Sequence, residues 1–231
     1  MKSKKLNNSR VIHRKLPNSG EKLKYLIVFL HGYGADGADL FNLHNSFSIV
    51  KSNAVFISPD APYECAMSPM GKEWFPLEKI PAGALEASKE FLKFLEKEIE
   101  HYSIELDRVI LIGFSQGAML SLQSLLLSQK KLGGVIAYSG GLKSENFEEC
   151  KHMIIMGKHI NFETPILLVH GKLDEVVPFS SLNLTQNLFE NIGFSISSLE
   201  CSMLGHGIDQ EGIEAGKEFL KKIKSNIKNI L

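Results

Sequence analysis

The chain has 231 residues, and its 26 Lys and Arg are matched by 26 Asp and Glu, so the formal net charge is zero. That length can build one sizeable core without disulfides or metals, and the balanced charge excludes a field that would gather nucleic acid or an anionic membrane surface. Cys65, Cys150 and Cys201 lie far apart, with no Cys-x-x-Cys or Cys/His ligand spacing, which argues against a disulfide framework or a metal site and for free thiols, buried or half-buried.

Along the chain, "MKSKK" reads as a solvated terminus and residues 1–20 as a peripheral segment of one domain spanning 1–231. No signal-peptide apolar region is visible, and no run approaches the ~18 apolar residues of a membrane span. A reduced, cytoplasmic setting without stable membrane insertion is the expectation. The first strand is "KYLIVFL", ending at Leu30, and it leads into the glycine-rich "HGYGADG". "ADLFNLHNSFSIV" then sets Leu40, Leu43 and Phe47 on one helical stripe, "AVFISP" is the next strand, and "GALEASKEFLKFLEKEIEHY" is a long amphipathic helix.

"RVILIG" precedes the helical "GAMLSLQSLLLSQ", "GGVIAYS", "PILLVH" and "SISSLEC" are further strands, and "EGIEAGKEFLKKIKSNI" is a closing helix. Short apolar runs alternating with amphipathic ones predict an α/β domain with a mainly parallel sheet and helices on both faces. The longest irregular stretches, "DAPYECAMSPMGKEWFPLEKIPAG" and "SGGLKSENFEECKHMIIMGKHINFET", fall where strands end, the place at which open α/β sheets bind ligands. The second has room for a small excursion but not for a large cap domain.

Between "RVILI" and "AMLSL" stands "GFSQG", Gly113 to Gly117. A Gly-x-Ser-x-Gly match arises by chance in roughly one chain of this length in ten, so its surroundings decide. A serine on a tight strand-to-helix turn has a strained backbone and needs very small residues two positions either side. Gly113 and Gly117 supply them, with a strand before and a helix after. The same turn aims the amide of Gln116, at a helix N-terminus, toward a developing oxyanion.

Partners of such a serine follow in the order acid, then histidine. After "PILLVH" the chain contains one histidine, His206, and between Ser115 and His206 it contains one aspartate, Asp174, with Glu175 its neighbour and rival. The expected roles are Ser115 as nucleophile, His206 as general base and acid, and Asp174 as the carboxylate that fixes the imidazole tautomer. The second oxyanion amide belongs to Gly32, Tyr33 or Gly34. His31 lies upstream of the serine, at a strand end, and is expected to be structural. In the first long loop, Met67, Met70, Trp74 and Phe75 are candidates for lining an acyl pocket, Trp74 foremost; the competing reading is that they pin the loop to the core. Leu77 and Ile80 are read as packing.

Taken together, "LHGYGADGADL", "SPDAP", "WFPL", "GFSQGAML", "HGKLDEVVP" and "GHGI" resemble the phospholipase/carboxylesterase family of α/β-hydrolases, which includes acyl-protein thioesterases and small carboxylesterases. The resemblance runs from about Tyr25 to the C-terminus. It implies the α/β-hydrolase fold, the Ser115, Asp174 and His206 triad, an oxyanion hole from the amides of Tyr33 and Gln116, and hydrolysis of short to medium acyl esters without metal or organic cofactor. The expected partner is a small-molecule ester or acyl substrate. Acyl-protein thioesterase and lysophospholipase activities share that chemistry, a non-catalytic hydrolase-fold binding protein is the alternative of another class, and a homodimer stays open because no interface motif is visible.

Overall fold

The structure, a computed structural model, describes residues 10–17, 22–157 and 160–223. The "MKSKK" segment and the last residues of the closing helical pattern lie outside these. The strands are β1 (Ile12–Lys15), β2 (Tyr25–Leu30), β3 (Ala54–Pro59), β4 (Tyr63–Glu64), β5 (Lys72–Glu73), β6 (Val109–Phe114), β7 (Gly134–Tyr138), β8 (Ile166–Gly171) and β9 (Ile196–Cys201). The α-helices are α1 (Gly37–Phe41), α2 (His44–Phe47), α3 (Ala82–Tyr102), α4 (Gln116–Leu127), α5 (Glu148–Ile155), α6 (Ser180–Asn191) and α7 (Gln210–Lys222).

Seven strands form one sheet in the order β1-β3-β2-β6-β7-β8-β9. Only the β1–β3 pair is antiparallel. The period of two along each central strand explains why both faces are covered. Leu26, Val28 and Leu30 of β2, Val109 and Leu111 of β6, and Ile166 and Leu168 of β8 enter one core, while Tyr25, Ile27, Phe29, Ile110, Ile112, Leu167 and Val169 enter the other. Strands that are apolar at every position can only be satisfied by helices on both sides. The first core takes Phe91 and Leu95 of α3 and the almost wholly buried α4; the second takes Leu40, Phe47 and Phe219 from α1, α2 and α7.

All six strands read from the sequence are present, and five features depart from that reading. "ADLFNLHNSFSIV" breaks into α1 and α2. The first long loop contains the two-stranded β4–β5 ribbon and a 3-10 turn at Leu77–Lys79, and the second contains a 3-10 turn at Ser144–Phe147 and then α5. Helix α6, absent from the sequence reading, buries Leu182, Thr185 and Phe189. Ile12–Lys15, placed in the peripheral segment, is one of the two edge strands. Its short polar pattern carries no strand signal, and it is held from outside the sheet: Arg14 Nη1 and Nη2 donate to Glu98 of α3 at 2.6 and 2.9 Å, and Nη1 also donates to Tyr102 Oη at 2.7 Å.

At the carboxyl edge, β2 and β6 end side by side, with Leu30 opposite Gly113. Helix α4 leaves β6 so close to the end of β2 that a Cβ on Gly117 would collide with the Leu30 and His31 carbonyls. Gly117→Ala is therefore expected to destabilise the fold by at least about 3 kcal/mol in urea unfolding. Gly207→Ala, where an added Cβ would meet only the Leu204 side chain at 3.7 Å, should be neutral or slightly stabilising in the same measurement.

Candidate active site

Ser115 occupies the turn between β6 and α4 with φ 52° and ψ −114°. A non-glycine residue at positive φ is strained, and here the surroundings impose it: the Ser115 amide donates to Tyr138 O at 2.9 Å, and Ser115 O accepts from Met119 N at 3.1 Å in the first turn of α4. The hydroxyl is thereby raised off the sheet edge.

His206 stands in the loop between β9 and α7, and Asp174 in the loop after β8. His206 Nε2 lies 3.0 Å from Ser115 Oγ, and His206 Nδ1 lies 2.8 Å from Asp174 Oδ2. A carboxylate accepts only, so the imidazole proton sits on Nδ1 and leaves Nε2 free to accept from the serine. The Asp174 side chain is fully buried, and its Oδ1 accepts the Val176 and Val177 amides, each at 2.9 Å. Those two bonds curl the chain around the carboxylate and leave Oδ2 for His206. The rival Glu175 is exposed. Phe114 packs against the His206 ring with centroids 4.9 Å apart.

Beside the serine, the chain at Gly32–Ala35 is clamped to the β4–β5 ribbon. Gly34 N donates to Lys72 O at 2.9 Å, and Lys72 N donates to Ala35 O at 2.7 Å. The Tyr33 phenol, hydrogen-bonded to the Cys65 thiol and further desolvated by burial, is pushed above its ordinary range. Gln116 joins this loop to the turn: its Oε1 accepts from Trp74 N at 2.9 Å, and its Nε2 donates to Phe75 O at 2.7 Å. Trp74 Nε1 donates to His31 O at 2.9 Å.

Those bonds correct the acyl-pocket expectation for Trp74 and Phe75. Both are 1% exposed and serve as the strap between turn and loop, with no surface left to offer a ligand. Met67 and Met70, at 82% and 85% exposure, stand in solvent on the loop that joins β4 to β5. A cleft of about 330 Å³ is instead lined by Leu77, Ile80, Met119, Leu142, Val176 and Leu184, among others. Leu77 and Ile80, read from sequence as packing, thus line it, and α6 supplies Leu184. The cleft adjoins the serine through Met119, one turn along α4, and Asp174 through Val176. Its lining comes from four separate segments, so no local pattern announced it.

His31 is structural, as expected. It is fully buried; Nε2 accepts from Ala61 N at 3.0 Å and Nδ1 lies 2.8 Å from Gly32 O. Cys65, Cys150 and Cys201 are buried free thiols. Among the described residues, the potential ligand atoms of Cys201, Asp209 and Glu211 lie within 4.8 Å of one another. They fit a metal poorly: Asp209 Oδ1 caps α7 by accepting from Gly212 N at 2.8 Å, and burial and the neighbouring carboxylates push the Cys201 thiol up to about 12, so it keeps its proton. No helix of the described residues is long and apolar enough to cross a membrane.

Comparison with known proteins gives a consistent match. The family model described as Phospholipase/Carboxylesterase matches residues 12–224. Acyl-protein thioesterase 1 of Candida albicans is 26% identical over 224 residues, covering 90% of this chain and 96% of that protein. Acyl-protein thioesterase 1 of Debaryomyces hansenii is 34% identical over 189 residues, covering 74% and 78%. The crystal structure of esterase PE8 superposes with a TM-score of 0.83 at 31% identity, covering 94% of this chain and all of that one. The architecture is that of an α/β-hydrolase.

Burial holds His31 below the ordinary imidazole value, so in acid the unfolded chain binds a proton that the folded chain refuses. Its contribution is complete above the unfolded value, near pH 6.5, and is lost as pH falls from there toward the lower folded value. The melting temperature of the wild type should therefore drop more between pH 7.5 and pH 5 than that of His31→Gln, with calorimetry at both pH values as the check.

Proposed function

The chain belongs to the phospholipase/carboxylesterase family, and on that premise we propose that it hydrolyses carboxylic esters through an acyl-enzyme on Ser115. The observation that carries this reading is the unbroken relay of Ser115 Oγ, His206 Nε2, His206 Nδ1 and Asp174 Oδ2, with separations of 3.0 and 2.8 Å. As Oγ attacks the ester carbonyl carbon, its proton passes to His206 Nε2, and Asp174 stabilises the imidazolium. The carbonyl oxygen becomes an oxyanion that the amides of Tyr33 and Gln116 receive. That assignment is supported by the clamps on both sides: the Gln116 side chain is tied to the strap at Trp74 and Phe75, and the Tyr33 loop to Lys72.

Collapse of the tetrahedral intermediate expels the alcohol, which takes the proton from His206 Nε2. Water then enters, gives its proton to the same nitrogen and attacks the acyl carbon, and the acid leaves as Ser115 recovers its proton. The apolar cleft between Leu77, Met119, Val176 and Leu184 takes the acyl chain; its volume is at the low end of the ~300–1,000 Å³ usual for small-ligand sites. Short to medium chains fit it best.

A second substrate class is favoured by the two relatives named acyl-protein thioesterase 1. A thioester passes through the same intermediates with a thiolate leaving group, so the triad serves either. Initial rates on oxygen esters and thioesters matched in acyl chain separate the two.

Exposure to a fluorophosphonate should add one mass increment to the wild type and none to Ser115→Ala, and Ser115→Ala should lose at least about 10⁴-fold in kcat on a p-nitrophenyl ester. An unlabelled, inert wild type that is nonetheless folded would instead favour a binding protein. Leu184→Trp should shift the preferred acyl chain to shorter lengths and leave kcat on the acetyl ester within about twofold, because the indole fills the cleft away from the reacting atoms.

A further inference from the structure

The strand that delivers Asp174 carries another histidine. His170 lies in β8, four residues before the carboxylate, and is fully buried. Its Nε2 is 2.9 Å from Val177 O and 3.2 Å from Asp174 Oδ2. Both neighbours can only accept, which places the proton on Nε2. Its Nδ1 is buried without a hydrogen-bond partner. A proton added at Nδ1 would have no acceptor there.

A buried polar atom without a partner calls for an explanation. An apolar side chain at 170 would avoid that orphan and would pack equally well against Phe179, whose ring meets His170 edge-on at 6.2 Å. What only a donor supplies is the bond to the Val177 carbonyl. Val177 is the residue whose amide grips Asp174 Oδ1. Val177 is thus held on both sides, its carbonyl by His170 and its N–H by the carboxylate, which braces the Asp174–Val177 turn.

We infer that His170 is a positioning residue for Asp174, an inference that rests on the proposed triad. Its Nε2–H fixes the Asp174–Val177 turn so that Oδ2 faces His206, and the positive end of the same N–H lies beside that oxygen. Without it, the Val177 carbonyl loses its buried donor, the turn relaxes, and the carboxylate loses its aim at the imidazole.

His170→Phe keeps the ring and removes the donor, whereas His170→Gln places an amide N–H near the lost Nε2–H. For His170→Phe we expect kcat on a p-nitrophenyl ester to fall roughly ten- to a hundredfold, KM to stay within about twofold, and the fluorophosphonate labelling rate to fall in parallel with kcat. His170→Gln should restore kcat to within about threefold of the wild type. Melting temperatures establish that each variant is folded. Should His170→Phe not fold, His170→Asn takes its place, since its amide is too short to reach Val177 O, and it should be slow where His170→Gln is not. The positioning role is overturned by a normal kcat in the donor-less variant, by a loss carried by KM alone, or by a folded His170→Gln as slow as the variant without a donor. Turnover by Ser115→Ala would overturn the triad and this inference with it, whereas an inert Ser115→Ala beside a normal His170→Phe overturns the positioning role alone.

Discussion

Everything at the site depends on how closely α4 passes the end of β2. With a hydrogen at Gly117 where any other residue has a side chain, the helix settles against the Leu30 and His31 carbonyls, and Gly113 accommodates the return of the chain one turn later. That approach forces the positive φ at Ser115. It also brings the first amide of α4 level with the loop that follows β2. The strain at one serine is stabilised by a large core beneath it, which is the usual way such strain survives in a folded chain. A looser crossing would relax the backbone and part Ser115 from the loop amides together.

Around this crossing the polar groups are organised in two separate systems. On the β2 side, Gln116, Trp74 and His31 form a buried strap of neutral hydrogen bonds with no group open to solvent. On the β8 side, Asp174 collects the Val176, Val177 and His206 N–H groups. The first system holds backbone amides still, and the second holds a charge still. Preorganised dipoles of both kinds do the most for catalysis when water is scarce.

How much of this was legible in the sequence follows from what each feature rests on. The central strands carry continuous apolar runs that only a doubly covered sheet can bury, so Leu26–Leu30 and Val109–Ile112 announced their place. Ser115, Asp174 and His206 were singled out because chain order and scarcity of residue type left few choices, Glu175 being the rival to Asp174, and the structure brings the three side chains within hydrogen-bond reach. The cleft was missed because side-chain direction in irregular chain has no period: Trp74 looked like a ligand contact and is a buried strut, while Leu77 and Ile80 looked like packing and line the cavity. Helix α6 escaped because its stripe of Leu182, Thr185 and Phe189 is interrupted by a polar residue. Strand β1 escaped because what holds it is remote in sequence: its ladder to β3, and the bonds of Arg14 to Glu98 and Tyr102 on a helix more than eighty residues away.

The bond between Ser115 and His206 joins residues 91 positions apart, and it spans the two halves of the sheet: the serine comes from β6 at its centre and the histidine from the loop beyond β9 at its edge. A chain made from its N-terminus can complete the elbow, its strain and its surrounding glycines well before His206 is made. Throughout that interval the serine hydroxyl is an ordinary alcohol. On the proposed triad, reactivity arrives only when β9 has paired with β8 and carried the histidine loop into place. A partly made or partly unfolded chain is therefore chemically silent, and an electrophile that captures Ser115 counts only molecules whose last strand has docked.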